Sequence, residues 1–273
     1  MRRLRCRQIP PNILHMVPEP PSEPLQTRVF RLLYQMSGRK PGVDALLSRR
    51  LKYRYYLPEV DAHDVIPRFE ETEIRIKRLP VGAWSTPLID AAIVIKAALG
   101  FEAKRILEIG SYRGDTARLL AENTAEDIRI CTVDIDPRHG EAYRGTPLER
   151  RIDRRVGAVS MGLFQTGEKF DLIFVDANHD FASVVNDTEV ALKVCSPQGV
   201  ILWHDYAQDM YFHDLCGVPE ALHHFAETRR IVGIRGTRLA LYSSRLESNT
   251  ATVNTVSANP SAQSVWDERQ VRG

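Results

Sequence analysis

Between residues 103 and 243, short apolar runs alternate with segments of helical spacing. The runs at 105–109, 128–133, 170–177 and 199–206 are apolar at consecutive rather than alternate positions. That is the pattern of strands buried on both faces. A helical pattern begins at Asp115, and others cover 180–194 and 219–228, the last with Pro219 near its first turn. An apolar helix over 87–99 leads into the first run. Two further strands, 230–234 and 237–243, flank the Arg235-Gly236 turn as a hairpin. Strand and helix in alternation predict an α/β fold, a parallel sheet with helices on both faces.

The flanks read differently. Residues 1–24 are proline-rich and predict a disordered leader, and the Ser/Thr/Asn-rich stretch 245–273 predicts a disordered tail. Between leader and sheet, 25–79 reads as an N-terminal helical extension. Leu25, Val29, Leu32, Leu33 and Met36 have helical spacing, Gly38 closes that helix, and 43–56 is a second candidate. The chain has 273 residues, 43% of them hydrophobic, enough for one α/β domain plus extensions. A net charge of +2 gives no global case for nucleic acid, although arginines and lysines crowd the first 55 residues. No apolar run approaches a membrane span, and the N-terminus lacks a signal's apolar core. Cys6, Cys131, Cys195 and Cys216 form no C-x-x-C pair. They read as reduced thiols of a cytoplasmic protein.

Candidate chemistry gathers at the strand ends, where open parallel sheets bind ligands. The first run ends in Glu108-Ile109-Gly110-Ser111, and Gly114 precedes the helix. Glycines let backbone approach a ligand, and a helix N-terminus offers unpaired N–H groups. A dinucleotide fingerprint would need glycines at 112 and 115, where Tyr112 and Asp115 stand, and there is no P-loop pattern. The second run ends in Asp134-Ile135-Asp136. An acid at that tip can accept hydrogen bonds from both hydroxyls of a ribose, and Asp134 is better placed than Asp136.

The string E-x-G-x-x-x-G at 108–114 resembles motif I of class I S-adenosylmethionine (SAM) dependent methyltransferases. The later segments follow in that family's order. The resemblance implies a Rossmann-like, doubly wound, mostly parallel seven-stranded sheet with an antiparallel last strand, and a SAM-binding domain over 80–244. It also implies a cofactor site of Glu108, Gly110, Ser111, Gly114, Asp134, Asp176 and Ala158, the last in the loop that lines the adenine. N-terminal helices in this family cover the substrate cleft or build a homodimer interface.

Asp176-Ala177-Asn178-His179 and Trp203-His204-Asp205-Tyr206 end adjacent strands and should converge beside the transferred methyl. They resemble a bacterial small-molecule O-methyltransferase group related to the catechol-type enzymes, in which acids at these tips bind a divalent cation. The matching ligands are Asp176, His204 and Asp205, for an optional Mg²⁺ or Mn²⁺. Histidine stands where the family has aspartate, and imidazole suits Mg²⁺ poorly. Three readings compete: a metal site; metal-free base catalysis by His179 or His204 with Asp205 orienting the ring; or histidines that only cap strand ends. Aromatics at Trp84, Tyr112, Tyr206, Tyr211 and Phe212 form either an apolar wall beside the site or ordinary core and surface. The other histidines, His139 among them, are assigned no role. The expected activity is O-methylation of a small molecule such as a sugar, polysaccharide precursor or natural product. The alternatives are N- or RNA methylation, or a SAM-binding scaffold without turnover. Against nucleic-acid N-methylation, 176–179 lacks the Asn/Asp-Pro-Pro-Tyr/Phe string.

Overall fold

The computed structural model describes residues 57–80, 82, 84–206 and 217–246, with isolated positions between 25 and 50. The expected leader at 1–24, most of 43–56, the loop at 207–216 and the tail from 247 onward lie outside the described residues. Positions 25, 29, 32, 33 and 36 are helical, as are 43, 46, 47 and 50.

In chain order the elements are β1 (Glu59–Val60), α1 (Ala62–Val65), α2 (Leu88–Gly100), β2 (Arg105–Ile109), α3 (Asp115–Asn123), β3 (Arg129–Asp134), β4 (Ile152–Val156), β5 (Phe170–Val175), α4 (Phe181–Val194), β6 (Cys195–Trp203), α5 (Val218–Ala226), β7 (Ile231–Ile234) and β8 (Ala240–Ser243). The strands form one sheet in the order β1-β7-β8-β6-β5-β2-β3-β4. All pairs are parallel except those of β8, which inserts antiparallel between β6 and β7. The expected antiparallel last strand is present. Beyond the seven expected strands, β1 pairs parallel with β7 at the sheet edge. A two-residue strand has too short a pattern to read from sequence. It comes from the segment read as helical extension, whose Leu57 and Ile66 are buried.

The consecutive apolar residues divide between two cores. Ile106, Ile130, Leu172 and Leu202 face α2 and α3. Leu107, Ile109, Val133, Ile173 and Ile201 face α4 and α5. Each such side chain contributes about 1.5–3 kcal/mol by leaving water. Helices therefore cover both faces, and the ends of the strands are left for chemistry. One buried cation secures the sheet rim. The Arg151 guanidinium donates to the carbonyls of Ala121, Thr124, Ala125 and Ile128, which close α3 and the turn after it. Arg151→Ala should orphan these acceptors and lower stability by about 2–4 kcal/mol. Thermal melting of the variant checks this, and an unchanged Tm would contradict it.

Candidate active site

The C-terminal ends of β2, β3, β5 and β6 bring the predicted residues to one rim. At the end of β2 the chain turns through Gly110, Ser111, Tyr112, Arg113 and Gly114 into α3. Gly110 and Gly114 have φ of +92° and +80°, and Tyr112 is also left-handed at +44°. A Cβ on Gly110 would lie 2.0 Å from the Asp176 carbonyl oxygen. The glycine is thus required by the backbone of the neighbouring β5 tip. The sequence reading, in which it makes room for a ligand, gives a different reason for the same residue.

Beneath this turn lies Glu108, buried, its Oε2 accepting from Ser111 Oγ at 3.0 Å. Burial raises its pKa well above the usual carboxylate range, and the nearby charges of Asp176 and Asp134 push the same way. Glu108 therefore supports the turn from the core side. Asp134 ends β3 and holds the turn from the front. Its Oδ2 accepts from the N–H groups of Ser111 at 3.0 Å and Tyr112 at 2.8 Å, and its Oδ1 from Asp136 N at 2.8 Å. The loop after β4 carries Ala158, and the Val159 carbonyl there accepts from Asn186 Nδ2 of α4. A pocket beside the turn is lined by Trp84, Ser85, Thr86, Gly110, Ser111, Tyr112, Arg113, Asp115, Thr116 and Asp176. Of the seven expected cofactor residues, Gly110, Ser111 and Asp176 line that pocket. Glu108, Gly114, Asp134 and Ala158 are not among its lining residues.

Asp176 follows β5 and joins the two halves of the site. Its Oδ2 accepts from Thr86 Oγ1 at 3.0 Å, and its Oδ1 lies 3.2 Å from His204 Nδ1. Burial opposes its charge, but hydrogen bonds to His179 and His204 outweigh that and hold the carboxyl below the usual range. The other ring nitrogen of His204, Nε2, lies 3.0 Å from Asp90 Oδ2. Burial alone would lower the His204 pKa. The two flanking carboxylates reverse this and lift it to about 10. At neutral pH the ring is an imidazolium with both N–H groups engaged, so neither nitrogen is left for a substrate proton or a metal ion.

His179 is placed differently. Its side chain is 32% exposed, and Nε2 lies 3.1 Å from Asp205 Oδ2 and 3.8 Å from Asp176 Oδ1. Burial lowers its pKa, and the two acids more than reverse that, leaving it raised above the ordinary value. Asp205 reaches this position through a left-handed backbone, φ +58°, a strain of about 1–3 kcal/mol of the kind that collects at functional sites. At this rim, among the described residues, ligand atoms of Asp176, His179 and Asp205 all lie within 4.8 Å of one another, close enough to share an ion. Two of the three residues expected as metal ligands, Asp176 and Asp205, are in this group, and His204, the third, lies beside both, its Nδ1 3.2 Å from Asp176 Oδ1 and 3.4 Å from Asp205 Oδ1.

Sequence reading missed Asp90, Thr86 and His139. Asp90 leaves a signal, since it is the one carboxylate in the mostly apolar helix 88–100, whose other charged residue is Lys96, and it is 1% exposed. Of the aromatics, Trp84 and Tyr112 line the pocket. Tyr206 is buried and its hydroxyl accepts from Leu57 N. Tyr211 and Phe212 lie outside the described residues.

Residues 107–206 match the family model described as a methyltransferase domain. The segment is thus similar in sequence to methyltransferase domains. The chain is 29% identical over 139 residues to a putative O-methyltransferase of Mycobacterium sp. (strain JLS), covering 48% of this chain and 61% of that protein. It is 31% identical over 84 residues to a catechol O-methyltransferase of Mycobacterium tuberculosis (strain ATCC 25618 / H37Rv), covering 29% and 38%. The match thus spans about three-fifths or less of the length of these relatives. Among solved structures, the fold is similar to the O-methyltransferase TomG from Streptomyces achromogenes, determined with SAM, at a TM-score of 0.50 and 20% identity over 76% of this chain and 97% of that one. The Rossmann-like, mostly parallel sheet with an antiparallel last strand that the resemblance implies is therefore the observed fold. No helix among the described residues is long and apolar enough to cross a membrane.

Proposed function

We propose that the chain is a SAM-dependent O-methyltransferase acting on a small-molecule hydroxyl. The observation that carries this reading is the division of one rim into two chemistries. A glycine turn held by Asp134 stands on one side and the pair of half-buried His179 and buried Asp205 on the other, with Asp176 between them. Gly110, Ser111, Gly114, Asp134, Asp176 and Ala158 are assigned to the cofactor, with Glu108 supporting the turn. SAM supplies an electrophilic methyl on sulfur, and S-adenosylhomocysteine (SAH) is its product.

His179 is assigned as the general base. Its Nδ1 has no hydrogen bond among the described residues, so it is free to take the acceptor's proton as the hydroxyl oxygen attacks the methyl. Asp205 at Nε2 fixes the tautomer and stabilises the imidazolium that forms. His204 is assigned a supporting part: its imidazolium holds Asp176 in place. The aligned donor and acceptor account for rate through proximity as well as proton transfer. N-terminal helices at the cleft or between two copies, and a cytoplasmic location, complete the reading.

The convergence of Asp176, His179 and Asp205 favours a second reading. These residues would hold Mn²⁺ in preference to Mg²⁺, because one ligand is imidazole. The ion would lower the acceptor hydroxyl's pKa. Against it stand the His204 imidazolium beside Asp176 and Arg238, 3.7 Å from Asp205, which already supply positive charge. Turnover should survive EDTA. Activity abolished by EDTA and restored by Mn²⁺ would replace the base mechanism with the metal one.

A further inference from the structure

We propose that His139 is a cofactor-binding residue that accepts one of the two ribose hydroxyls. The inference rests on the reading of Asp134 as the ribose acid and adds a residue to that site.

A carboxylate offers about four lone-pair positions. In Asp134 three are taken by the N–H groups of Ser111, Tyr112 and Asp136. One position is left, on Oδ1, and a ribose brings two hydroxyls. Asp136 cannot serve the second, because Arg138 Nε and Nη2 engage both of its carboxylate oxygens.

His139 stands beside Asp134, with Nδ1 next to that carboxylate and Nε2 4.0 Å from Asp136 Oδ2. Its Nδ1 is 2.9 Å from Asp134 Oδ2 but out of line for a hydrogen bond. Neither ring nitrogen has a hydrogen bond among the described residues. The ring packs edge-on to Tyr112, with centroids 5.3 Å apart and planes at 84°. Its backbone is fixed over the glycine turn, since Gly140 N donates to the Tyr112 carbonyl at 2.8 Å and His139 N to that of Asp136. The side chain is 30% exposed. With the proton on Nδ1, beside the Asp134 carboxylate, Nε2 is left to accept from the ribose.

The competing role is packing against Tyr112, and two substitutions separate the roles. H139F keeps an aromatic ring on Tyr112 without an acceptor; H139A removes both. Calorimetric titration of the full chain with SAH, 2′-deoxy-SAH and 3′-deoxy-SAH gives the readout. Both variants should bind SAH about tenfold more weakly than the wild type, the scale of one lost hydrogen bond. The loss should vanish for one of the two deoxy analogues. Full affinity in H139F, or an equal loss for SAH and both analogues, overturns the assignment. D134A tests the underlying reading separately. If D134A weakens SAH binding and H139A does not, His139 alone is misassigned. If D134A has no effect, the ribose site itself is wrong and this inference falls with it.

Discussion

His179→Ala should lower kcat by roughly 10²- to 10³-fold, the range of lost general-base help, while SAM affinity stays near that of the wild type. The ring is the more exposed histidine of the cluster, and among the described residues its Nδ1 is unengaged. His204 cannot take over, because Asp176 and Asp90 occupy both its nitrogens and hold it protonated. The pH dependence has a fixed sign. A base works in its neutral form, and Asp205 and Asp176 raise the His179 pKa above 6.5 despite burial. Activity should therefore rise with pH through a limb above 6.5. Asp205→Asn removes one of the charges that raise this pKa, so the limb should move to lower pH as kcat falls. Steady-state rates across pH with any acceptor that supports turnover check both. A His179→Ala enzyme with full kcat would remove His179 from the chemistry.

Gly110→Val should abolish cofactor binding and destabilise the domain by several kcal/mol. Its Cβ would fall 2.0 Å from the Asp176 carbonyl oxygen and 2.5 Å from the carbonyl carbon, with φ at +92°. These are backbone atoms of a strand tip in the middle of the sheet, and they cannot swing aside as a flexible side chain would. The strain of a β-branched residue at positive φ adds to the collision. Separating the β2 and β5 tips would also disturb Asp176, which carries Thr86 and His204. A thermal melt with a parallel SAM titration checks this. A wild-type Tm and affinity would mean that the turn does not pass over Asp176 as described.

The sheet was legible because burial on both faces writes strands as continuous apolar runs, as at Ile106-Leu107 and Leu172-Ile173, which split between two cores. The same rule puts Gly110, Asp134, Asp176 and His204 at strand tips. Which tip residues touch was not legible. Asp90 and His204 are 114 positions apart, and no local pattern reports that a helix's first turn reaches β6. The roles of the two histidines followed from that contact, so sequence alone left them equivalent. His139 was passed over for a related reason, since a loop histidine has no periodicity. The reason for Gly110 also lay in a non-local backbone approach, although its need for glycine was correctly placed.

The central claim is that this rim binds SAM through the tip of β3. Calorimetric titration of the wild type and Asp134→Ala with SAM tests it most directly. The wild type should bind one-to-one, and the variant about 1–3 kcal/mol more weakly, through the loss of charge-assisted hydrogen bonds to the ribose together with a loosened turn. No binding by the wild type, or equal affinity in a folded Asp134→Ala variant, would contradict it.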